Sequence, residues 1–270
     1  MEEELSELLS IARRAANAGA EVHRRAIEKG NFRIDSKTSP SDLVTEIDRQ
    51  SEQEIVSTIR AARPNDGIIG EEGANFSGDS RVRWIIDPLD GTTNFVHRYP
   101  AHSVAVGIEI DGKRVIGVAH DTFNNRVYAG VVGRGADCDG KPITVGQEQI
   151  LSQALVGTGF LPDKAARREQ AGLLREILPC VRDIRRSGCP SLDICGVASG
   201  VLDAFYEFGL GPWDISAAGA IAEAAGATVL LFYSKHLPDP LLVVANAGLS
   251  AAMVNLLTEA GAIELVSSEP

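Results

Sequence analysis

The chain has 270 residues, 44% hydrophobic and 23% charged, the balance of a globular protein and not of a disordered one. That length fits one large domain or two halves sharing an interface. A formal net charge of −11 disfavours general binding to nucleic acid or to anionic membranes, although arginine pairs stand at Arg167–Arg168 and Arg185–Arg186.

The chain opens on an acidic stretch, Met1 to Leu9, opposite in charge to a secretory leader. Leu5, Leu8, Leu9, Ala12, Ala16 and Val22 recur at helical spacing and predict an amphipathic helix over residues 5–27. A second helix is predicted from Thr45, a capping residue, to Arg63, with Pro64 just beyond. Ile68-Ile69 and Trp84-Ile85-Ile86 read as short buried strands that deliver carboxylates at their ends. From Ser103 to Val145 the pattern is β, with tight turns at Asp111-Gly112 and Asp139-Gly140. Beyond residue 150 predicted strands (155–158, 183–186, 204–208, 228–232) alternate with predicted helices (164–178, 190–198, 213–225), an α/β pattern. A boundary near residue 150 divides the two patterns. Tyr233 to Pro240 reads as a surface loop.

No apolar run approaches the ~20 residues of a membrane helix. The cysteines (Cys138, Cys180, Cys189, Cys195) form no CxxC pair, which disfavours zinc and suits a reducing compartment. A cytoplasmic protein is expected.

The informative segment is Trp84-Ile-Ile-Asp-Pro-Leu-Asp-Gly-Thr-Thr-Asn94. A strand ending at Asp87 and bending at Pro88 turns Asp87 and Asp90 toward one point, a suitable arrangement for a hard cation such as magnesium. Gly91 permits close backbone approach, and a short helix from Thr92 offers amide groups to a phosphate. Taken alone, Asp-x-x-Asp-Gly is as readily a turn with a helix cap. Gly70-Glu71-Glu72-Gly73 adds adjacent like charges after a strand, and Gly211-Pro-Trp-Asp214 puts a carboxylate in a helix's first turn. Each of these also has an ordinary reading, as a solvated loop and as a cap.

Together GEEG, WIIDPLDGTTNF and WDISAAGAIAEAAGA, with the upstream Lys37 to Asp48 stretch, resemble the inositol monophosphatase family. The resemblance implies an α/β (α+β) chain in a layered αβαβα fold. Its N-terminal half, 1–150, would hold an antiparallel sheet and most metal ligands. Its mixed C-terminal half, 151–270, would hold Asp214 and the substrate contacts. It implies two to three magnesium ions, with manganese as a substitute. Glu71, Asp87 and the Leu89 carbonyl would hold the first, and Asp87, Asp90 and Asp214 the second. A third would lean on Glu71 with Glu72 nearby. Asp48 and Thr92 would orient the attacking water, and the Gly91 and Thr92 amides would grip phosphate. Asp90, Gly188, Cys189, Glu207 and Asp214 would contact the substrate alcohol. Myo-inositol 1-phosphate is the expected substrate, hydrolysed by direct attack of water. Histidinol phosphate, fructose 1,6-bisphosphate and 3'-phosphoadenosine 5'-phosphate are alternatives within the superfamily. A homodimer and lithium sensitivity are implied too, and so, as a reading of another class, is a binding partner of the transcription machinery.

One segment departs from the family pattern. Arg186-Ser-Gly-Cys-Pro-Ser-Leu-Asp193 has Pro190 where a backbone N–H is expected to meet a substrate hydroxyl, and proline has none. Cys189 at a predicted helix start raises the question of a reactive thiol, against the favoured reading of a small buried one. His97 and His102 match no ligand role and read as polar packing. Arg185 and Arg186 read as solvated, or as lining an entrance or a subunit contact.

Overall fold

The computed structural model describes residues 2–30, 33–36, 43–232 and 240–263. Residues 37–42 of the upstream motif and 233–239 of the expected loop lie outside them.

Helix α1 (Glu2–Lys29) and helix α2 (Glu46–Ala62) pack on each other through the apolar faces their spacing predicts. Between them strands β1 (Ile34–Ser36) and β2 (Leu43–Thr45) pair antiparallel. Thr45 caps α2 as expected, accepting from Ile47 N–H, while Asp48 returns the bond to the Thr45 N–H.

Both helices cover one face of an eight-stranded sheet. Its strands are β3 (Gly67–Gly70), β4 (Asn75–Phe76), β5 (Val82–Asp90), β6 (Ser103–Ile110), β7 (Lys113–Asp121), β8 (Arg126–Val131), β9 (Gly135–Cys138) and β10 (Lys141–Ile143). All neighbours pair antiparallel except β3 and β5, which run parallel. At the β6–β7 turn Asp111 and Gly112 both take positive φ (53° and 73°), as a two-residue hairpin needs, and Asp139 and Gly140 repeat this at 51° and 75°.

A five-stranded sheet follows, in the order β12 (Asp183–Arg185), β11 (Leu155–Thr158), β13 (Ala204–Phe208), β15 (Leu241–Asn246) and β14 (Ala227–Phe232). It is mixed, because β11 lies parallel to β12 and β13 while β15 is antiparallel to both its neighbours. Helices α5 (Pro190–Ala198) and α6 (Pro212–Ala224) lie between the two sheets and touch both. The outer face of the second sheet carries α4 (Lys164–Ile177) and α7 (Ser250–Glu259), whose Ile177, Met253 and Leu257 join its buried cluster. The layers are therefore helix, sheet, helix, sheet, helix.

Two elements extend past Phe232, where the periodicity reading stops. One is β15, a fully buried Leu241-Leu-Val-Val-Ala run, and the other is α7. A short buried run has no alternation to mark it as a strand.

Helix α6 sits unusually close to the first sheet. Gly107, Gly117 and Gly130 are cross-strand partners on β6, β7 and β8. A Cβ on Gly117 would lie 1.9 Å from the Ala217 carbonyl oxygen, and one on Gly130 would lie 2.9 Å from Ile221 Cα. The three glycines form a trough in which α6, itself rich in alanine, beds down.

Candidate active site

Strand β5 does not end at Asp87. It runs on to Asp90, with its pairing to β6 shifted between those two residues. Pro88 has no N–H to give the ladder, and the Leu89 N–H turns instead to Asp87 Oδ1 at 3.0 Å. The shift brings Asp87 and Asp90 together. Asp214 arrives from the first turn of α6, where its Oδ2 accepts the Gly211 N–H at 2.6 Å. One oxygen from each of these three carboxylates lies within 4.8 Å of the others.

Glu71 comes from the end of parallel strand β3 and stands beside Asp87. Its loop is held by Glu52, whose carboxylate accepts the N–H groups of Glu72 and Ala74, each at 2.9 Å. Gly70 makes room for that grip, since a Cβ there would lie 2.2 Å from Glu52 Oε2. Sequence reasoning missed Glu52, which carries no motif of its own.

Burial pushes the Asp87 carboxyl well up, and the charges of Glu71, Asp90 and Asp214 push it further. Burial raises Asp90 too, opposed by donors that end on its Oδ2: the Ser191 hydroxyl, the Cys189 thiol at 3.1 Å and the Ser191 N–H at 2.7 Å. Ser191 was not anticipated, because as the second residue of α5 it looks like ordinary helix chemistry. Carboxylates forced together at the cost of their own ionisation are the donor set a hard divalent cation stabilises, so the residues present fit such an ion.

Asp48 lies at the start of α2. Thr45 donates to its Oδ2 through N–H (2.7 Å) and hydroxyl (2.6 Å), while the Thr92 hydroxyl lies 3.0 Å from its Oδ1 and 3.1 Å from the Leu89 carbonyl. Burial raises the Asp48 pKa. Gly91 caps the short helix α3 (Thr92–His97) in a left-handed conformation, φ 85°.

On the far side of the cluster lies the Ser187–Ser191 loop. Asn94 ties it to the motif by donating to both Ala101 O (2.7 Å) and Ser187 O (2.9 Å). Cys189 is fully buried, and burial with the adjacent Asp90 charge pushes its thiol well above the usual range. It stands as a hydrogen-bond donor to Asp90, the arrangement of the small buried thiol favoured from the sequence. Pro190 begins α5, and the first amide after it, that of Ser191, is spent on Asp90. Gly188 takes a left-handed φ of 84° with Arg186 packed over it. Glu207 on β13 is pushed well up by burial, then by Asp214, Asp90 and Asp193, with Arg186 opposing. Arg186 thus borders the site, while Arg185 turns to Asp183 at 2.6 Å. Asp193, also unanticipated, is raised to about 7 by burial and is held by Ser187. His97 is exposed and His102 buried.

The layered fold and the convergent carboxylates define an α/β protein with a built candidate cation site where its layers meet. The chain matches the inositol monophosphatase family over residues 4–266 and belongs to it. It is 39% identical over 263 residues to inositol-1-monophosphatase of Mycobacterium bovis, covering 90% of each chain. Over 235 residues it is 36% identical to Nus factor SuhB of Pasteurella multocida, covering 86% of this chain and 88% of that one. The structure superposes on extragenic suppressor protein suhB of Bartonella henselae with a TM-score of 0.86 at 29% identity, covering 94% and 99% of the two chains. No helix among the described residues is long and apolar enough to cross a membrane.

Proposed function

We propose that this chain is a magnesium-dependent phosphatase that hydrolyses a small phosphate monoester, inositol 1-phosphate foremost. The observation that carries the reading is the convergence of Asp87, Asp90 and Asp214. Those three, with Glu71 and the Leu89 carbonyl, would hold the cations. Bound there, magnesium or manganese would neutralise the phosphate dianion, lower the pKa of a water and stabilise the departing alkoxide.

The chain's own residues do the positioning. Asp48, fixed by Thr45, and the Thr92 hydroxyl aim at one water, and a carboxylate with a raised pKa is suited to take its proton. The Gly91 and Thr92 amides would grip the phosphate, the Gly91 N–H lying also against the Asp90 carboxylate. Ser191 and Cys189 fix Asp90 by one oxygen. Glu207 and Gly188 meet the alcohol, whose hydroxyl contact at Pro190 must come from another donor. The protonated thiol of Cys189 supports direct attack by water, so no phosphorylated enzyme is expected to accumulate.

The test is phosphate release from a panel of monoesters, with and without magnesium, by the native protein and Asp90→Asn. The expected result is magnesium-dependent release, greatest on inositol 1-phosphate and reduced at least about a hundredfold in the variant. A maximum on another ester would keep the chemistry and change the substrate. No release from any ester would sink the reading in favour of a binding partner, the role the Pasteurella relative's name points to.

A further inference from the structure

Two buried side chains outside the carboxylate cluster, those of His23 and Ser51, end on its backbone. His23 on α1 is fully buried, and its Nε2 lies 2.9 Å from the Pro88 carbonyl oxygen, between Asp87 and Asp90. The Ser51 hydroxyl meets the same oxygen at 2.8 Å. His23 Nδ1 lies 3.2 Å from Thr122 Oγ1, and Thr122 Oγ1 lies 2.6 Å from His102 Nδ1. The rings of His23 and His102 both pack against Phe95, at 5.3 and 5.1 Å between centroids.

The protons can be placed by elimination. A carbonyl oxygen only accepts, so His23 Nε2 carries a hydrogen. Burial pulls the His23 pKa down to about 3, so the ring is neutral and Nδ1 is an acceptor. Its donor is the Thr122 hydroxyl. The His102 carbonyl, 3.2 Å from that hydroxyl, could accept from it too, but it already receives the Thr122 N–H at 3.1 Å and is not left bare when the hydroxyl turns away, whereas the buried His23 Nδ1 has no other donor among the described residues. Having given its only hydrogen to His23, Thr122 Oγ1 must accept from His102 Nδ1. The result is one polarised chain: His102 Nδ1–H to Thr122 Oγ1–H to His23 Nδ1, then His23 Nε2–H to Pro88 O.

The geometry points to His23, Thr122 and His102 as positioning residues that fix the Pro88–Leu89 peptide and, through it, the Asp87 carboxylate for cation binding. The peptide is held at both ends. Its carbonyl takes His23 and Ser51, and its N–H donates to Asp87 Oδ1 at 3.0 Å. Tilting that plane would swing Asp87 away from Asp90 and Asp214. This inference rests on the cation-dependent reading of the site. It concerns residues whose sequence context gave them no role.

Two measurements on the full chain test it, and neither needs turnover. Nitrogen-15 NMR of the metal-free protein should show opposite neutral tautomers, His23 protonated at Nε2 and His102 at Nδ1. Calorimetric titration with magnesium alone should show affinity about tenfold weaker in Thr122→Val, which keeps the side chain's shape, and restored in Thr122→Ser. His23→Leu should weaken it by at least as much. In kinetics the half-saturating magnesium concentration should rise in Thr122→Val while KM for the monoester stays within about twofold. Native magnesium affinity in Thr122→Val, or His23 protonated at Nδ1, would overturn the relay and leave the phosphatase reading standing. A native protein that binds no magnesium would overturn both.

Discussion

Asp90 has the Ser191 N–H, the Ser191 hydroxyl and the Cys189 thiol all ending on Oδ2, which sets the direction of its other oxygen. The three donors keep a buried carboxyl ionisable where desolvation works against it. The histidines behind the site show the same physics with the opposite sign. Burial pulls His102 down to about 4 from 6.5. Below pH 6.5 the unfolded chain binds a proton that the folded one refuses. The stability tied to a neutral His102 is therefore whole above pH 6.5 and is lost as pH falls toward 4, at about 1.4 kcal/mol per unit. Urea unfolding at pH 6.5 and pH 5 should find the native protein losing about 1.5 kcal/mol more over that interval than His102→Asn loses. Equal losses in the two proteins would refute the assignment.

Among the elements, those with strong periodicity and those with turn chemistry are legible in the sequence. Helix α1 announces itself through Leu5, Leu8 and Ala12, and the Asp-Gly turns through their two positive φ values. Asp87, Asp90, Asp214 and Glu71 can be singled out as well, but only because their motifs together resemble a family's signatures, and Asp87 lies inside β5 and not at its end as the sequence suggests. What the sequence hides is lateral. Glu52, Ser191 and Thr122 act across 20, 101 and 99 positions, and no local pattern records such a pairing. The glycine trough is hidden for the same reason, since Gly107, Gly117 and Gly130 align only once the β6–β7–β8 register is known. The clash at Gly117 is with backbone and cannot be relieved by a rotamer change. Gly117→Ala should destabilise the protein by about 1–3 kcal/mol. It should also weaken magnesium binding, because lifting α6 moves Asp214. Thermal melts with and without magnesium would read both effects. A destabilised variant with native magnesium affinity would show that α6 seating does not space the carboxylates.

At the scale of the whole molecule, α5 and α6 belong to both sheets. The central buried cluster joins Ala119 and Ala136 of the first sheet to Ile194 and Ile221 of the helices and Leu242 and Val244 of the second sheet. Cutting the chain near residue 150 would split that cluster, so although each part keeps a buried cluster of its own, neither is closed without the other. Calorimetry should accordingly find a single melting transition whose van't Hoff and calorimetric enthalpies agree. Two separated transitions would show that the parts fold independently.

The trough sets a clearance between helix and sheet that is smaller than one methyl group. Asp214 rides on the helix, while Asp87 and Asp90 ride on the adjoining strand β5. Cation affinity thereby becomes a gauge of interlayer spacing. A substitution far from the carboxylates that lifts α6 by a few tenths of an ångström would register first as a shifted binding isotherm, before any change in secondary structure.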